Sequence, residues 1–428
     1  MSQLIIPNRR LFLKSATAVG AVAAVNAPGL VFGAPDSRTL KIGLVGCGGR
    51  GTGAAQDAMK GDSNAVLWSM GDVFSTAIEV SIRSLADFKD RVQVADERKF
   101  TGMDAIHKVL ASGVDVVILT TPPGFRPAMF QAAVEAGKHI FCEKPMAVDV
   151  PGVKIVMEAA KKAKEKGQAV VAGFCWRRSE SRMEAMRRVL GGDIGKVLSY
   201  YATYYTGPVK PMQPASARQP EWSDVEWQVR NWYNFSWLSG DSLVEQAVHS
   251  VDKIGWAMGD KDPISCIGTG GRQIPMEGCN IFDHFSVVYE YPEQVFCTMN
   301  SRQQLNTDGE NADYIRGDKG ACVIKGSGLS ITGENKWRSK GDDTIDMYTN
   351  EHVELFKSIR AGEPLNDGEW MCHSTLLAIM GRTAAYTGKR ITWEALMNST
   401  EDLAPDDLTW NSSFMPSGMP MPGQTPAR

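Results

Sequence analysis

The chain has 428 residues, of which 43% are hydrophobic and 22% are charged, and its formal net charge is −3. This composition is typical of a soluble globular protein, and a near-neutral charge without a basic stripe excludes the electrostatic footprint of a nucleic-acid-binding protein. Because the length exceeds what one hydrophobic core usually supports, we expect two domains.

The N-terminus differs in composition from the rest of the chain. The segment Asn8-Arg-Arg-Leu-Phe-Leu-Lys14 precedes a weakly apolar stretch from Ser15 to Val25, which is soon followed by Pro28. This order predicts a twin-arginine export signal over residues 1–34 and a periplasmic location. An amphipathic anchor helix is the alternative. A membrane-spanning helix is not expected, because the interrupted apolar stretch is too short for a stable span.

A glycine-rich turn follows the first apolar run of the mature chain. Residues 40–45 predict a buried strand, and Gly46, Gly48 and Gly51 form a G-x-G-x-x-G pattern directly after it. In such a motif the glycines allow a tight turn, close approach of a pyrophosphate and close packing of the next helix, whose positive N-terminus attracts phosphate. We therefore predict a dinucleotide site. Its predicted contacts from this turn are Gly46, Gly48, Gly49, Arg50 and Gly51.

An aspartate stands where the second strand of this unit should end. The apolar run 65–70 leads to Asp72, 21 residues beyond Gly51. A carboxylate there binds the ribose hydroxyls of NAD and repels the extra phosphate of NADP, which favours NAD. NADP stays open because Arg50 could reach a phosphate, and a solvated loop aspartate is the alternative for Asp72.

Short apolar strands then alternate with helical stretches up to about Asp149. The predicted elements are strands at 114–120 and 138–142, a helix at 127–136, a helix at 150–166 and a strand at 169–174, the last two leading toward a second domain. This alternation predicts a parallel sheet with right-handed crossovers. We place this first domain at residues 38–150.

The chain becomes rich in strands after Asp262. Phe285, Val287 and Tyr289 alternate with Ser286 and Val288, which predicts a half-exposed, largely antiparallel sheet. Its open face would suit subunit contacts or helices of its own chain. We assign residues 151–412 to this second domain and residues 413–428 to a Pro/Gly/Met-rich tail that lies over the surface without forming a core element.

The eight cysteines are scattered singly, with no C-x-x-C pair. This spacing predicts mostly buried thiols and neither a zinc site nor a disulfide framework. We predict no metal.

Three titratable residues share the helical spacing of one segment. In Ser242-Leu-Val-Glu-Gln-Ala-Val-His-Ser-Val-Asp252, the side chains of Glu245, His249 and Asp252 fall at positions i, i+4 and i+7 on one helix face. A nearby acid would hold the histidine ring and tune its pKa toward neutrality. Two structural alternatives remain: Ser242-x-x-Glu245 fits a capping box, and His249 fits a satisfied core histidine.

A second candidate element is Glu143-Lys144-Pro145. It follows the predicted strand 138–142 and so lies at the carboxyl end of the sheet, where ligands of open α/β sheets bind. A lysine there can anchor a substrate hydroxyl, although a surface Lys-Pro turn is the alternative.

With these motifs the chain resembles the family of glucose-fructose oxidoreductase, inositol dehydrogenase and their relatives (Gfo/Idh/MocA). The resemblance covers nearly all of the mature chain and is carried by Gly46 to Gly51, Thr121-Pro-Pro, Ala136 to Pro145 and the Gly240 to Asp252 segment with its acid-x-x-x-His spacing. It implies an α/β protein with an N-terminal Rossmann domain, followed by an α/β domain whose large open, mostly antiparallel sheet often forms a dimer interface. A homo-oligomer is therefore expected.

The resemblance also implies roles for individual residues. Lys144 matches the active-site lysine, His249 the proton-transferring histidine and Glu245 the acid before it, although relatives usually carry aspartate there. Arg126 is a second departure, since histidine is more usual after the Thr-Pro; an arginine could recognise an anionic or hydroxyl-rich group. The predicted cofactor contacts also include Thr121, Pro122, Glu143 and Lys144.

An aromatic run precedes the candidate catalytic segment: Trp222, Trp227, Trp232, Tyr233, Phe235 and Trp237. Flat rings with polar edges suit sugars, and we expect at least half of these residues to be structural. The predicted substrate contacts are Arg126, Trp176, Arg177, Trp237 and Asp252.

The expected function is an oxidoreductase that moves a hydride from a sugar or polyol carbinol to nicotinamide, with His249 taking the hydroxyl proton and Lys144 stabilising the alkoxide. Export implies that the cofactor stays bound, because little free cofactor is available outside the cytoplasm. Two alternatives remain open: a redox-neutral glycosidase or epimerase that works through a transient keto-sugar, and a non-catalytic sugar-binding protein.

Overall fold

The computed structural model describes residues 37–341, 343–404 and 408–426. The predicted export signal at residues 1–34 lies outside these ranges. No helix within them combines the length and apolar character that crossing a membrane requires.

The first half of the chain forms a parallel sheet flanked by helices. Its strands are β1 (Leu40–Val45), β2 (Ala65–Asp72), β3 (Lys99–Thr101), β4 (Val116–Leu119), β5 (His139–Cys142) and β6 (Val170–Ala172). Its helices are α1 (Gly49–Gly61), α2 (Ser75–Ser84), α3 (Ala105–Ala111), α4 (Arg126–Glu135) and α5 (Val150–Glu165). The six strands pair in the order β3-β2-β1-β4-β5-β6, and every pair is parallel. The predicted parallel α/β domain is confirmed.

The end of this domain lies later than the predicted residue 150. Strand β6 pairs with β5, with Ile140 opposite Val170, and all three β6 residues are buried. Helix α5 and β6 therefore complete the first sheet instead of leading into the second domain. An apolar strand that is buried on both faces cannot be assigned to one of two sheets by its own sequence.

The second half of the chain is built on a larger sheet. Its strands are β7 (Val197–Thr206), β8 (Ser265–Gly271), β9 (His284–Tyr291), β10 (Val295–Gln303), β11 (Glu310–Gly317), β12 (Gly320–Lys325), β13 (Gly328–Gly333), β14 (Trp337–Arg338) and β15 (Ile391–Thr392). They pair in the order β14-β13-β12-β11-β7-β10-β9-β8-β15, and all pairs except β7 with β10 are antiparallel.

The helices of this half are α6 (Glu180–Leu190), α7 (Asp224–Arg230), α8 (Ser236–Ser239), α9 (Ser242–Glu245), α10 (Val248–Ala257), α11 (Met347–Ala361), α12 (Gly368–Thr387) and α13 (Trp393–Met397). Helix α12 packs on β8 and β9, where the Tyr289 hydroxyl donates to the Leu377 carbonyl at 2.8 Å. Phe285, Val287 and Tyr289 are buried on this face while Ser286 is exposed, as the alternation predicted.

The opposite face of the large sheet carries a row of side chains across five strands. In register from β8 to β11 these are Ile267, Val288, Thr298, Tyr201 and Tyr314. Ile267 is 41% exposed and Tyr201 is 42% exposed. One face of the sheet is therefore covered by the chain's own helices and the other is open.

Helix α11 returns to the first domain and packs on α1. Arg360 on α11 donates to both carboxylate oxygens of Asp62, at 2.5 and 2.8 Å. The ring of His352 lies 4.1 Å from the ring of Phe141 on β5. The two domains therefore share a buried interface.

The C-terminal tail contributes to a core, contrary to the expectation for residues 413–428. Leu408, Trp410 and Phe414 join an aromatic cluster with residues 222–238, and Met419 packs against the main core. The Trp410 ring contacts Phe74 of the first domain at 5.6 Å. Aromatic residues spaced this widely carry no periodic signal, so only the folded chain brings them together.

All eight cysteines are free and buried, which confirms the prediction of buried thiols. Among the described residues, no group of three or more histidine, cysteine, aspartate or glutamate side chains is arranged to hold a metal.

Candidate active site

A cavity of about 780 Å³ lies between the two domains, at the carboxyl ends of the first sheet. The first domain contributes the glycine turn, Asp72 and the loops after β4 and β5. The second domain contributes the segment around residues 209–213, the stretch from Val229 to Tyr233 and the α9–α10 segment. Both halves of the chain therefore build one site.

The glycine turn joins β1 to α1 and leaves open space in front of it. Gly46 adopts φ +93°, and a Cβ on Gly51 would lie 1.9 Å from the Gly46 carbonyl oxygen. A Cβ on Gly48 or Gly49 would meet no atom within 4 Å. The turn thus needs glycine for packing at Gly51 and presents bare backbone at the start of α1, which fits a pyrophosphate.

Asp72 ends β2 and lines the cavity, as predicted. Its carboxylate accepts hydrogen bonds from the backbone N–H groups of Cys47 at 2.6 Å and Phe74 at 2.9 Å. Burial raises the pKa of Asp72, although these hydrogen bonds oppose the shift. Each carboxylate oxygen keeps a lone pair with which a ribose hydroxyl could bond.

Arg50 and Glu143 form an ion pair across the cavity floor. Arg50 Nε lies 2.5 Å from Glu143 Oε1, and its guanidinium lies 5.0 Å from the Tyr348 ring. Glu143 packs so tightly that a Cβ on Gly173 would lie 2.8 Å from its carboxylate. Arg50 is therefore bound by Glu143, and its Nη2 atom is left without a partner among the described residues.

Lys144 and Glu245 meet on the wall of the cavity. The Lys144 ammonium donates to Glu245 Oε1 at 2.9 Å and also to the Glu245 carbonyl oxygen. The other carboxylate oxygen, Glu245 Oε2, is buried without a hydrogen-bond partner among the described residues. The pair joins the loop after β5 to α9 and leaves one acceptor for a ligand.

The predicted continuous helix over Ser242–Asp252 is wrong, because the chain breaks into α9 and α10. The Ala247 N–H bonds to the Ser242 carbonyl five residues back, at 3.0 Å, which widens the turn as often occurs at functional sites. The alternative of a capping box formed by Ser242 and Glu245 is also wrong. Asp241, which adopts φ +82°, caps α9 with its own carboxylate, and Glu245 is left to bond Lys144.

His249 lies in the first turn of α10 and lines the cavity. Its ring packs on Trp176, with ring centres 5.1 Å apart, and on Phe174 at 6.1 Å. Its Nδ1 atom is buried without a partner in the described part of the chain. Burial, together with the positive charges of Lys144, Lys253 and Arg50, holds the pKa of His249 well below its ordinary value. The imidazole is therefore neutral at physiological pH and can accept a proton.

Four predicted substrate contacts lie away from the cavity wall. Arg177 Nε pairs with Asp252 at 2.9 Å, and the same guanidinium pairs with Asp260 at 2.6 Å. Trp237 donates from its indole nitrogen to the side chain of Gln228 at 2.7 Å. Trp176 stands behind His249. The predicted contacts of Arg177, Trp237 and Asp252 with substrate are thus replaced by internal pairing, and Trp176 supports the histidine ring.

Arg126 is also occupied by the protein itself. Its guanidinium is buried and donates to the carbonyl oxygens of Pro145 and Thr121. It therefore ties together the loops that carry Lys144 and the predicted cofactor contacts Thr121 and Pro122, both of which line the cavity. Its Nε atom is buried without a hydrogen-bond partner among the described residues, and recognition of substrate by Arg126 stays a prediction.

The cavity brings in residues that the sequence did not single out: Lys210, Gln213, Arg230, Gln246 and Tyr348. They come from a loop, from helix ends and from α11. No motif marks them, and Gln246 alone could have been found from its place between Glu245 and His249. Of the aromatic run, Trp232 and Tyr233 line the cavity and the other four residues pack in the aromatic cluster.

Comparison with known proteins supports the fold and an NAD-binding first domain. Residues 40–173 match the model of an oxidoreductase family described as having an NAD-binding Rossmann fold. Inositol 2-dehydrogenase of Rhizobium meliloti (strain 1021) is 24% identical over 353 residues, which cover 77% of this chain and 93% of that protein.

Two solved structures share the fold. Levoglucosan dehydrogenase, in complex with NADH and levoglucosan, superposes with a TM-score of 0.66 at 16% identity, over 82% of this chain and 99% of that one. Aldose-aldose oxidoreductase from Caulobacter crescentus, complexed with glycerol, also has a TM-score of 0.66 at 16% identity, over 83% of this chain and 100% of that one.

Proposed function

We infer that the chain belongs to the NAD-binding oxidoreductase family of glucose-fructose oxidoreductase and inositol dehydrogenase. From this premise we propose that it oxidises a hydroxyl of a sugar or polyol. The observation that carries this proposal is that Lys144, Glu245 and His249 line the same cavity as the glycine turn, with Lys144 bonded to Glu245. Bound NAD would accept the hydride from the carbinol carbon.

The residues of the chain supply the acid–base chemistry. The neutral His249 ring can take the hydroxyl proton as the C–H bond breaks. The Lys144 ammonium bonds to Glu245 in the same cavity and can stabilise the negative charge that develops on the substrate oxygen. Glu245 holds the lysine with one oxygen and can bind a substrate hydroxyl with the other, whose lone pairs are unused.

NAD is the cofactor, and we propose that the enzyme keeps it bound through successive turnovers. The aromatic cluster supports retention, because it clamps residues 222–238 and the C-terminal segment onto Phe74, which lines the cavity two residues after Asp72. The Ser223 hydroxyl donates to the Trp410 carbonyl, and Gln228 donates to the Phe414 carbonyl at 2.6 Å. Opening this end of the cleft would expose several aromatic rings, which is costly.

Retention also suits the export signal that the sequence predicts. We propose a periplasmic protein that leaves the cytoplasm folded, with NAD in place. A retained cofactor must be reset on the enzyme, either by a second substrate or by the same sugar after a neighbouring bond has been broken or inverted. The solved relative from Caulobacter crescentus is named an aldose-aldose oxidoreductase, which supports a cycle with two sugar substrates.

The first experiment is to purify the mature protein without added cofactor, denature it and identify the released nucleotide by absorbance and mass. Stoichiometric NAD or NADH is expected. The holoenzyme is then mixed with a panel of sugars and polyols while absorbance at 340 nm is followed; reduction by at least one of them, abolished in Lys144→Met, is expected. Product analysis in deuterium oxide distinguishes reset of the cofactor by a second substrate from reset by the same sugar. Only the second cycle deprotonates a carbon of the sugar, and that carbon then takes up deuterium from the solvent.

An empty protein would contradict retention, and a holoenzyme that no sugar or polyol reduces would contradict the proposed oxidation. Binding of sugars without any change in nicotinamide absorbance would identify a sugar-binding protein instead.

We further propose that copies of the chain associate through the open face of the large sheet. The row from Ile267 to Tyr314 is mostly apolar or aromatic and partly exposed, and such a patch often marks an interface.

A further inference from the structure

Four of the five cationic side chains on the cavity wall are held by groups of the protein itself. Five cationic residues and three carboxylates line the cavity. Arg50 pairs with Glu143, Lys144 pairs with Glu245, and Arg230 pairs with Glu226 at 2.6 Å. The Arg126 guanidinium is held by two backbone carbonyls.

Lys210 is the exception. Among the described residues no carboxylate lies within 4 Å of its ammonium group and no side chain or carbonyl accepts a hydrogen bond from it. Burial lowers its pKa, and no neighbouring charge offsets that effect. Since a partly buried cation without a counter-charge is unfavourable, its natural partner is a ligand in the cavity.

The surroundings of Lys210 hold it in place. It stands between Pro208 and Pro211 in the chain, and its carbonyl oxygen accepts a hydrogen bond from the Asn234 side chain at 3.2 Å. Its ammonium group lies 5.7 Å from the centre of the Trp232 ring, which also lines the cavity. The backbone that carries this cation is therefore held in place, and its ammonium group lies beside an aromatic ring.

These neighbours belong to the part of the cavity wall that the second domain supplies. Trp232 contacts Tyr233 edge to face at 5.6 Å, and the Tyr233 hydroxyl accepts a hydrogen bond from Gln303 of β10 at 2.6 Å. All of these residues come from the second domain, as His249 does. The expected pyrophosphate position, at the glycine turn, belongs to the first domain.

We propose that Lys210 binds a carboxylate of the substrate, with Trp232 against the sugar ring, so that the enzyme acts on sugar acids in preference to neutral sugars. This inference rests on the proposed oxidation of a sugar. It assigns to Lys210 the recognition of an anionic group that the sequence analysis assigned to Arg126, whose two terminal nitrogens already donate to backbone carbonyls. Charge-assisted hydrogen bonds of this kind are strong and specific.

The test uses the NAD-loaded protein and matched pairs of sugars that differ by one carboxylate: D-glucuronate with D-glucose, and D-galacturonate with D-galactose. Binding is followed by tryptophan fluorescence. We expect at least one acid to bind about tenfold more tightly than its neutral partner, with a preference that weakens as salt is added.

Lys210→Met should remove this preference and Lys210→Arg should keep most of it. The control is Lys196→Met, which removes an exposed lysine that pairs with Glu293 outside the cavity and should leave the preference unchanged. Equal binding of acid and neutral sugar, binding of neither acid, or a preference that survives in Lys210→Met would each overturn the proposal.

Lys210 could instead bind a phosphate of the cofactor, because phosphate and carboxylate are both anionic groups that an ammonium binds. In that case Lys210→Met would lose co-purified NAD while the ratio of acid to neutral binding stayed constant, and the proposal would be wrong. The proposed oxidation is judged separately: it stands if any sugar, acidic or neutral, reduces the bound NAD in a manner that requires Lys144.

Discussion

The two walls of the cavity are built in different ways. The wall of the first domain comes from short sequence motifs, each placed at the end of a strand: the turn after β1, Asp72 at the end of β2, and Lys144 after β5. The wall of the second domain comes from a loop near Lys210, a helix end at Arg230 and the broken segment α9–α10. The cofactor side is thus encoded locally, whereas the substrate side exists only after folding.

The largest expected effect is the loss of bound NAD after a substitution in the glycine turn, on the wall of the first domain. In Gly51→Ala the new Cβ would lie 1.9 Å from the Gly46 carbonyl oxygen, so α1 must move away from β1. We expect complete loss of co-purified NAD, measured by absorbance of the nucleotide released on denaturation.

Gly53→Ala is the matched control on the same helix. Its Cβ would meet only the flexible end of Arg50, at 3.1 Å, so NAD should be retained. If Gly51→Ala held stoichiometric NAD, the dinucleotide site would not depend on this turn.

The next largest effect is expected at His249, on the wall of the second domain. His249→Gln should lower kcat by about 10²–10⁴-fold, the usual contribution of a general base, without loss of bound NAD. Because burial and the nearby cations lower the pKa of His249, kcat/KM of the wild-type enzyme should fall on the acid side only well below pH 6.5.

Trp237→Phe is the comparison variant, since Trp237 bonds to Gln228 away from the cavity. It should keep kcat within a few-fold, although it loses one buried hydrogen bond. A large loss of kcat in Trp237→Phe, with little loss in His249→Gln, would reverse the assignment of the two residues.

A third prediction concerns the interface between the two domains. His352 is fully buried against Phe141, and burial, with a smaller effect of Arg50, lowers its pKa to about 3. The unfolded chain binds this proton near pH 6.5 and the folded chain does not, so stability is lost as the pH falls below 6.5. At pH 5 the loss from this residue is about 2 kcal/mol.

Urea unfolding at pH 8 and pH 5 measures this effect. The decrease in unfolding free energy between the two pH values should be about 2 kcal/mol smaller in His352→Leu than in the wild type. His284→Gln, which changes a partly exposed histidine beside Asp283, should show the wild-type decrease. The same decrease in His352→Leu would mean that another group carries the acid sensitivity.

The smallest effect on the fold is expected at the open face of the large sheet. Tyr201→Glu places a charge within the exposed row and should convert an oligomer into a monomer, as measured by light scattering after size exclusion. Stability should change by no more than about 0.5 kcal/mol, as for most surface substitutions. Val80→Glu, on the exposed side of α2, should leave the assembly intact, and a wild-type monomer would contradict the proposed association.

The predicted elements of the first domain agree with the structure to within a few residues. Helix α4 spans 126–135 against a predicted 127–136, and β5 spans 139–142 against 138–142. Agreement is good here because buried parallel strands and the helices between them are short, regular and strongly apolar.

The helical face proposed for Glu245, His249 and Asp252 shows where local periodicity fails. Periodicity assumes a continuous helix, but Asp241 is held at positive φ by bonds to Ser242, Phe282 and Tyr386. The resulting break leaves Glu245 and His249 on the cavity wall and turns Asp252 toward Arg177. The partners that impose this geometry lie up to 145 residues away in the chain.

The sequence by itself predicted the parallel sheet, the glycine turn, the NAD-favouring Asp72 and the place of Lys144 and His249 in the candidate site. Each of these features depends on residues that are close in the chain. Tertiary structure alone decided which cations are free. Packing brings two backbone carbonyls to Arg126 and two aspartates to Arg177, and it leaves Lys210 with neither, because pairing in a folded protein depends on distances across the chain that no local pattern records.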